Sequence, residues 1–181
     1  SEIRAAKGRA EVLNLFAYTG GATLAARSAG AEVTHVDSVK QVVTWSRENM
    51  EQSGIDGVRW IVEDATKFVE REIRRGNRYH GIILDPPAFA KHHQVLGNAL
   101  QGYKKINARA MEKIRPGGIL FTFSCSQAVS RDLFRTTIFT SAAIAKRKVR
   151  IIGQLTQPAD HPINIYHPEG EYLKGLVVYV E

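Results

Sequence analysis

The chain has 181 residues, of which 44% are hydrophobic and 24% are charged, and this size suits one globular domain without room for a second. One cysteine excludes an intrachain disulfide and a zinc site built from several thiolates, and no apolar run reaches membrane-spanning length. The formal net charge of +7 favours a polyanionic partner such as nucleic acid. We therefore expect a cytoplasmic domain with no membrane partner.

Short apolar runs alternate with longer amphipathic segments along the chain, which is the pattern of strands and helices in α/β proteins. Small residues follow the first apolar run, and Gly30 ends the segment after it, as expected of a strand, a turn and a helix. Ser38 and Gly54 are the predicted caps of the second helix. In chain order we predict strands at 11–18, 31–37, 58–64, 79–89, 117–124, 149–155 and 173–180, and helices at 20–30, 38–54, 65–77, 98–115 and 130–147.

Five strand-helix steps followed by two strands and the loop 157–172 predict a Rossmann-like α/β fold. We expect a seven-stranded, mostly parallel sheet with an antiparallel last strand and helices on both faces, formed by residues 1–181 as a single domain. Trp45 and Trp60 fall in apolar patterns and are predicted to lie in the core. Ligands of such sheets bind outside the carboxyl ends of the strands, so the site is expected there.

The first two strands end in groups suited to a nucleoside-type ligand. The turn "NLFAYTGGAT" feeds a helix, whose exposed amides and positive end favour an anionic or carboxylate-bearing group. It is not the G-x-G-x-x-G fingerprint, which makes a nicotinamide dehydrogenase improbable. Asp37 follows about twenty residues later, where an acid accepts hydrogen bonds from ribose hydroxyls. A helix cap is the alternative role of Asp37.

The next three strands also end in polar or reactive groups. Glu63 and Asp64 close the third, where a carboxylate suits an adenine amino group or simply the first turn of the next helix. "DPPAF" closes the fourth and sets Asp85 beside two rigid prolines and an aromatic ring. "FSCS" closes the fifth and holds Cys125, which alone would be taken for a small buried residue. Five consecutive strand ends of this kind argue for a site.

Several motifs together resemble a known family. "NLFAYTGG", "VDS", "EDA", "DPPAF" and "TFSCS", in that order and spacing, resemble class I S-adenosylmethionine-dependent methyltransferases. More narrowly, "QGYKKIN" (101–107), "ADHP" (159–162) and "YHPEGEYLKG" (166–175) resemble the bacterial large-subunit (23S) ribosomal RNA (cytosine-5) methyltransferases. The resemblance runs from about residue 11 to residue 181. It implies S-adenosylmethionine as cofactor, S-adenosylhomocysteine as product and RNA, 23S rRNA above all, as partner.

The resemblance also implies roles for individual residues in cofactor binding. The turn 14–21 would hold the methionine part, Asp37 the ribose and Asp64 the adenine, with Ala65 beside it. The implied cofactor-binding residues are Asn14, Phe16, Tyr18, Thr19, Gly20, Gly21, Asp37, Ser38, Asp64, Ala65 and Asp85.

For catalysis the chemistry requires a nucleophile, because carbon 5 of cytosine must be activated before it accepts a methyl group. A thiolate adding to carbon 6 does this, and Cys125 is the only thiol in the chain. Asp85 would hydrogen-bond or protonate ring nitrogen 3, a task favoured by a raised pKa. A second cysteine that some RNA cytosine-5 methyltransferases use for elimination is absent, so the base that removes the carbon 5 proton stays unassigned. The implied substrate residues are Pro86, Pro87, Phe89, Tyr103 and Lys104.

Two other functions remain open at this stage. An amino-methyltransferase also suits an Asp-Pro-Pro-aromatic motif, with Cys125 merely buried. A catalytically silent RNA-binding domain would keep the fold without turnover, and we expect the RNA-binding N-terminal domain of the family to be absent. The histidine pairs 92–93 and 161 with 167 lack the spacing of metal ligands, so we expect no metal site.

Overall fold

The computed structural model describes residues 9–89 and 96–181. In these ranges the strands are β1 (Glu11–Leu15), β2 (Glu32–Asp37), β3 (Val58–Val62), β4 (Tyr79–Leu84), β5 (Ile114–Ser124), β6 (Val149–Leu155) and β7 (Lys174–Val180). The helices are α1 (Gly21–Ser28), α2 (Lys40–Gln52), α3 (Ala65–Arg75), α4 (Leu96–Lys113) and α5 (Arg131–Ile144), with a 3-10 turn at Pro168–Gly170. None of the helices in the described ranges is long and apolar enough to span a membrane.

The seven strands form one sheet in the order β3-β2-β1-β4-β5-β7-β6. β1 to β5 pair in parallel, and β7 is inserted antiparallel between β5 and β6. The predicted Rossmann-like sheet with its antiparallel last strand is thus confirmed. β1 pairs with β2 on one side and β4 on the other, so the strand order reverses at β1 and opens a crevice at its carboxyl end.

The core lies mainly between one face of the sheet and helices α3, α4 and α5. Alternate residues of the strands, such as Leu13 and Ile82, are fully buried on this face because successive side chains of a strand point to opposite sides. Phe68, Met111 and Ile138 come from the three helices and pack in the same cluster. Helices α1 and α2 contribute nothing to it and pack beside β1, β2 and β3, so helices lie on both faces of the sheet as predicted.

Several predicted element ends are wrong for local physical reasons. β1 ends at Leu15, not at residue 18, because the backbone turns into the left-handed region at Phe16 and Tyr18. The fourth strand, by contrast, stops at the two prolines as expected: β4 ends at Leu84, because the prolines that follow Asp85 cannot continue a ladder. These early ends lengthen the loops at the carboxyl edge of the sheet.

Helix α2 also differs from its prediction. Its N-cap is Val39, not Ser38, and the Val39 amide donates to the carboxylate of Asp37 at 3.0 Å. Its C-cap is Ser53, not Gly54. Trp45 is 49% exposed and lies outside the core. The helix buries Val43, Ser46 and Met50 instead, so Ser46, the residue after Trp45, lies on the buried face.

Candidate active site

The loop between β1 and α1 has an unusual backbone conformation. Phe16 and Tyr18 have φ values of 56° and 47°, and Gly20, the N-cap of α1, has a φ of 88°. The Tyr18 amide donates to Oδ2 of Asp37 at 3.0 Å, and Ser46 Oγ donates to the Tyr18 carbonyl at 2.7 Å. These bonds fasten the strained loop to β2 and α2 and hold its backbone at the crevice.

Glycine is strongly favoured at position 20. Besides its positive φ, a Cβ there would lie 3.1 Å from Cε of Met50 and 3.2 Å from Oγ of Ser46. Gly21, by contrast, would place a Cβ in open space within the described structure. Gly20 and Gly21 carry no side chain and Ala22 carries only a methyl group, so a ligand has room to approach the backbone amides and the positive end of α1.

Three buried polar side chains next to this loop form a chain of hydrogen bonds. The Asn14 amide donates to Thr23 Oγ1 at 2.9 Å, and Thr23 Oγ1 lies 3.0 Å from Nδ1 of His35. Burial lowers the pKa of His35 to about 4, although the charge of Asp37 opposes this, so the imidazole is neutral at pH 7. Thr23 and His35 were missed by the sequence analysis, and the only available signal was a histidine within the apolar strand "EVTHVD".

A cavity of about 810 Å³ opens beside the loop and extends along the sheet under α1. This volume is within the range of sites that hold cofactor-sized ligands. Most of the lining is apolar and comes from small residues of α1 and from β4 and β5. Seven of the predicted cofactor residues line the cavity, namely Asn14, Phe16, Tyr18, Thr19, Gly20, Gly21 and Asp85.

The other predicted cofactor residues lie at neighbouring strand ends outside this cavity. Both carboxylate oxygens of Asp37 accept backbone amides at 3.0 Å, and Ser38 beside it is exposed. Asp64 caps α3 by accepting from the Lys67 amide at 3.0 Å, which is the alternative role considered from sequence. Ala65 is buried in the core, so only its backbone could meet a ligand. The assignments of these residues to ribose and adenine stay predictions.

The two predicted catalytic residues lie at the ends of two adjacent strands. Asp85 directly follows β4 and Cys125 directly follows β5, and these strands pair in parallel. Cys125 is half-buried, and its Sγ lies 3.9 Å from the carbonyl oxygen of Pro86. This is a weak hydrogen bond in which the thiol is the donor. Burial raises the pKa of the Cys125 thiol, and the nearby charge of Asp85 raises it further. Neighbouring protein atoms also desolvate the Asp85 carboxylate and raise its pKa, although the residue is exposed as a whole.

Lys174 is a cation near this pair that the sequence analysis missed. It opens β7 opposite Ser124, is 8% exposed, and donates from Nζ to the Ser126 carbonyl at 2.5 Å. In the described part of the chain it has no carboxylate ion-pair partner, which is unusual for a buried lysine. Its charge lowers the pKa of Cys125 and opposes the effects of burial and of Asp85. Position 174 carried no sequence signal beyond its place in "YLKG".

The ends of the loop before β7 are held against this region. The Gln127 side chain donates to the Glu169 carbonyl at 2.8 Å, and Arg131 forms an ion pair with Glu171. Gln157 Oε1 accepts the Tyr172 amide at 3.0 Å. These contacts bring the "HPEGEYLKG" segment beside "FSCS", two motifs about forty residues apart in sequence.

The structure corrects the role predicted for Tyr103. Its ring is fully buried between Phe89, at a centroid distance of 4.7 Å, and Phe134, at 5.9 Å, and its hydroxyl accepts from Ser124 Oγ. A buried ring cannot contact an RNA backbone, so Tyr103 supports Phe89 and the end of β5 instead. Phe89 is half-buried and Lys104 partly exposed, and their substrate roles stay predictions, as do those of Pro86 and Pro87.

In residues 9–89 and 96–181 no group of three or more histidine, cysteine or acidic side chains could hold a metal ion. His161 and His167 each contact one acid, Asp160 and Glu169. His92 and His93 lie outside the described residues.

Comparison with known proteins identifies relatives across nearly the whole chain. The profile of a family described as S-adenosylmethionine-dependent methyltransferase matches residues 2–168. The chain is 42% identical over 180 residues to ribosomal RNA large subunit methyltransferase I of Shewanella denitrificans, covering 98% of this chain and 45% of that protein. It is 41% identical over 170 residues to the protein of the same name from Aeromonas salmonicida, covering 92% and 43%.

Solved structures of methyltransferases are also similar. One, a methyltransferase complexed with SAH, has a TM-score of 0.83 and 25% identity, covering 98% of this chain and 47% of that one. A SAM-dependent methyltransferase from Agrobacterium tumefaciens has a TM-score of 0.72 and 28% identity, covering 99% and 57%. The chain spans less than half the length of the curated relatives it matches.

Proposed function

Because the chain belongs to the S-adenosylmethionine-dependent methyltransferase family, we propose that it methylates carbon 5 of a cytosine in large-subunit ribosomal RNA through an adduct with Cys125. The observation that carries this proposal is the position of three groups at one edge of the sheet. They are the thiol of Cys125 after β5, the carboxyl group of Asp85 after β4 and the buried ammonium of Lys174 at the start of β7. RNA as the substrate is supported by the net charge of +7 and by the relatives named as ribosomal RNA methyltransferases. Such an enzyme would act in the cytoplasm.

The crevice beside the β1–α1 loop fits the cofactor. Gly20 and Gly21 leave room at the start of α1, and the cavity is large enough for a ligand of nucleoside size. Asp37 keeps free lone pairs after accepting two backbone amides, so its carboxylate can still accept from ribose hydroxyls. When bound, S-adenosylmethionine supplies the methyl group that carbon 5 of cytosine accepts, and S-adenosylhomocysteine is the product.

Cys125 would supply the activation that cytosine needs. Its thiolate adds to carbon 6, and the electron pair of the 5,6 double bond becomes available at carbon 5 for bonding to the methyl group. After methylation the proton of carbon 5 is removed, the double bond re-forms and the thiolate leaves. A base stacked out of reach in a helix cannot enter such a site, so the target must be unpaired or extruded.

Asp85 would act on ring nitrogen 3 of the same cytosine. Desolvation by neighbouring atoms raises the pKa of its carboxyl group, which favours the acid form that can donate a hydrogen bond as negative charge develops on the ring. A neutral Asp85 would also stop opposing the ionisation of Cys125.

Lys174 would stabilise the thiolate, and this predicts a change in the titration of Cys125. In Lys174→Met, which keeps the length and most of the packing of the side chain, we expect the pKa of the Cys125 thiol to rise, because a stabilising positive charge is lost. The rate of alkylation by iodoacetamide against pH measures this pKa, and the chain has only one cysteine to alkylate.

Lys67→Met is the matched control, since Lys67 is exposed on α3. It should leave the titration curve of the thiol unchanged. An unchanged or lowered pKa in Lys174→Met, with thermal unfolding as in the wild type, would contradict the role of Lys174.

Methylation itself is tested by product analysis. The chain is incubated with labelled S-adenosylmethionine and unmodified large-subunit ribosomal RNA, and the nucleosides of the digested RNA are separated by mass spectrometry. The proposal predicts label in 5-methylcytidine. Label in any other nucleoside would contradict it.

A second candidate function is methylation of an exocyclic base nitrogen. It is favoured by one observation, the raised pKa of Cys125, which describes a thiol that is mostly un-ionised at rest. In that case Asp85 and the Pro86 carbonyl would hold the amino group, and the label would appear in an N-methylated nucleoside.

A further inference from the structure

A second cavity, of about 720 Å³, lies at the end of the sheet opposite Asp85 and Cys125, and it shares Arg9 with the far end of the first cavity. The residues around it include Glu11, Glu32 and Tyr79, which begin β1, β2 and β4. We call it the amino-end cavity, because it lies at the amino ends of these parallel strands. Five arginines line it, namely Arg9, Arg27, Arg59, Arg78 and Arg115.

Two of these arginines have structural partners. Arg115 forms an ion pair with Glu11 and also donates to the Arg78 carbonyl. Arg27 donates to the carbonyl oxygens of Asp56 and Ala31 and lies 3.7 Å from the Asp56 carboxylate. Both guanidinium groups therefore stabilise the fold, and we do not count their charges as available to a ligand.

Three arginines of the cavity are not neutralised in this way. Within the described ranges, Arg9, Arg59 and Arg78 form no ion pair at 4.0 Å or less, and Glu32 is the one lining acid left to oppose them. Arg59 acts electrostatically on the buried Glu72, which already has its own cation and hydrogen-bond donors. The wall thus keeps an excess of about two positive charges.

The charge of Arg78 also acts on two cations that do not line the cavity, Lys113 and Arg147. Its charge contributes, after burial, to the lowered pKa values of Lys113 and Arg147. Like charges gathered at one end of a sheet repel each other, and an anion between them would relieve the repulsion.

Helix dipoles do not account for these three residues. Basic residues collect in the last turn of a helix because the carbonyl end carries partial negative charge, and this explains Arg74 and Arg75 of α3. Arg59, however, lies in β3, Arg78 lies in the connection before β4, and Arg9 precedes β1. Their position has no such structural cause.

We propose that the amino-end cavity is a second binding site for the phosphate groups of RNA, so that one RNA contacts the domain at both ends of its sheet. Guanidinium groups bind phosphate oxygens in a bidentate manner, and an open polar cavity admits a backbone without reading its sequence. The choice of RNA as the phosphate source rests on the proposed function, whereas the charge excess does not.

The test compares two pairs of substitutions that remove the same charge. Arg59→Gln with Arg78→Gln alters the cavity, and Arg135→Gln with Lys146→Gln alters exposed residues on and just after α5. Binding of a fluorescein-labelled single-stranded RNA of mixed sequence is followed by anisotropy at several salt concentrations. We expect the cavity pair to weaken binding about tenfold or more and to reduce the slope of log K against log salt by about 1.4, for two lost phosphate contacts.

The control pair should change affinity and slope much less. Equal effects of the two pairs would overturn the proposal, because the cavity would then act only through net charge. Unchanged RNA binding in the cavity pair, with tripolyphosphate bound by the wild type and not by this pair, would also overturn it and assign the cavity to a small phosphate ligand. Thermal unfolding and S-adenosylhomocysteine titration check that the variants are folded.

The readout is independent of methyl transfer. If the cavity pair binds RNA normally while 5-methylcytidine is still formed by the wild type, the second site fails and the proposed function stands. If the pair loses RNA binding while the wild type forms no methylated cytidine, the second site stands and the proposed function fails.

Discussion

Cys125→Ala is expected to abolish methyl transfer while leaving cofactor binding intact. Without the thiolate, carbon 5 of cytosine cannot be activated, and the rate should fall by about a thousandfold or more, as it does when a covalent nucleophile is removed. The side chain is half-buried and its contact with the Pro86 carbonyl is weak, so alanine should not unfold the domain. Label transferred from S-adenosylmethionine to RNA measures the rate.

Titration with S-adenosylhomocysteine provides the control, since the Cys125→Ala variant should bind it as the wild type does. Cys125→Ser should be nearly as inactive as the alanine variant, because a serine hydroxyl is a much poorer nucleophile than a thiolate at pH 7. Full activity of the alanine variant would instead assign the site to amino-methylation, where Cys125 has no chemical role.

Asp37→Ala is expected to weaken the binding of S-adenosylhomocysteine about a hundredfold. Its carboxylate holds the Tyr18 amide of the cofactor loop and the Val39 amide that begins α2, and each such bond to a charged group contributes about 1.5 kcal/mol. Direct contacts to the ribose would be lost as well. Isothermal titration calorimetry of the wild type and the variant measures the change.

Asp132→Ala serves as the charge-matched control, because Asp132 lies in the first turn of α5, on an element that lines no part of the candidate cofactor cavity. It should leave the affinity within about twofold. Asp37→Asn keeps one accepting oxygen and should fall between the wild type and Asp37→Ala. If the wild type and a folded Asp37→Ala variant bind S-adenosylhomocysteine with equal affinity, Asp37 takes no part in cofactor binding.

The sequence predicted the fold, and it places the candidate site at the strand ends, because both inferences depend on local signals. Alternating apolar periods mark strands and helices, and the polar groups that follow Leu84 and Ser124 are read directly from the chain. Parallel strands then bring these groups to one edge of the sheet without further information. The resemblance to known methyltransferases added the roles, which spacing alone does not give.

What the sequence could not predict depends on contacts between distant segments. Lys174 lies close enough to act electrostatically on Cys125 because β7 is inserted antiparallel beside β5, and the burial of Tyr103 depends on the packing of α4 against α5. Trp45 was misplaced because the buried face of α2 is decided by its contacts with the β1–α1 loop, such as that of Ser46 with Tyr18. Periodicity predicts that such a face exists but not which residue begins it.

The central claim is the covalent adduct between Cys125 and cytosine, and trapping that adduct tests it most directly. In RNA that carries 5-fluorocytidine, fluorine replaces the proton that must leave carbon 5, so elimination fails after methyl transfer and the protein stays bonded to the RNA. Mass spectrometry of the chain incubated with this RNA and S-adenosylmethionine should find the adduct on Cys125 and none in Cys125→Ala. Wild-type chain that binds cofactor and RNA but forms no adduct, or an adduct that survives in Cys125→Ala, would contradict the account.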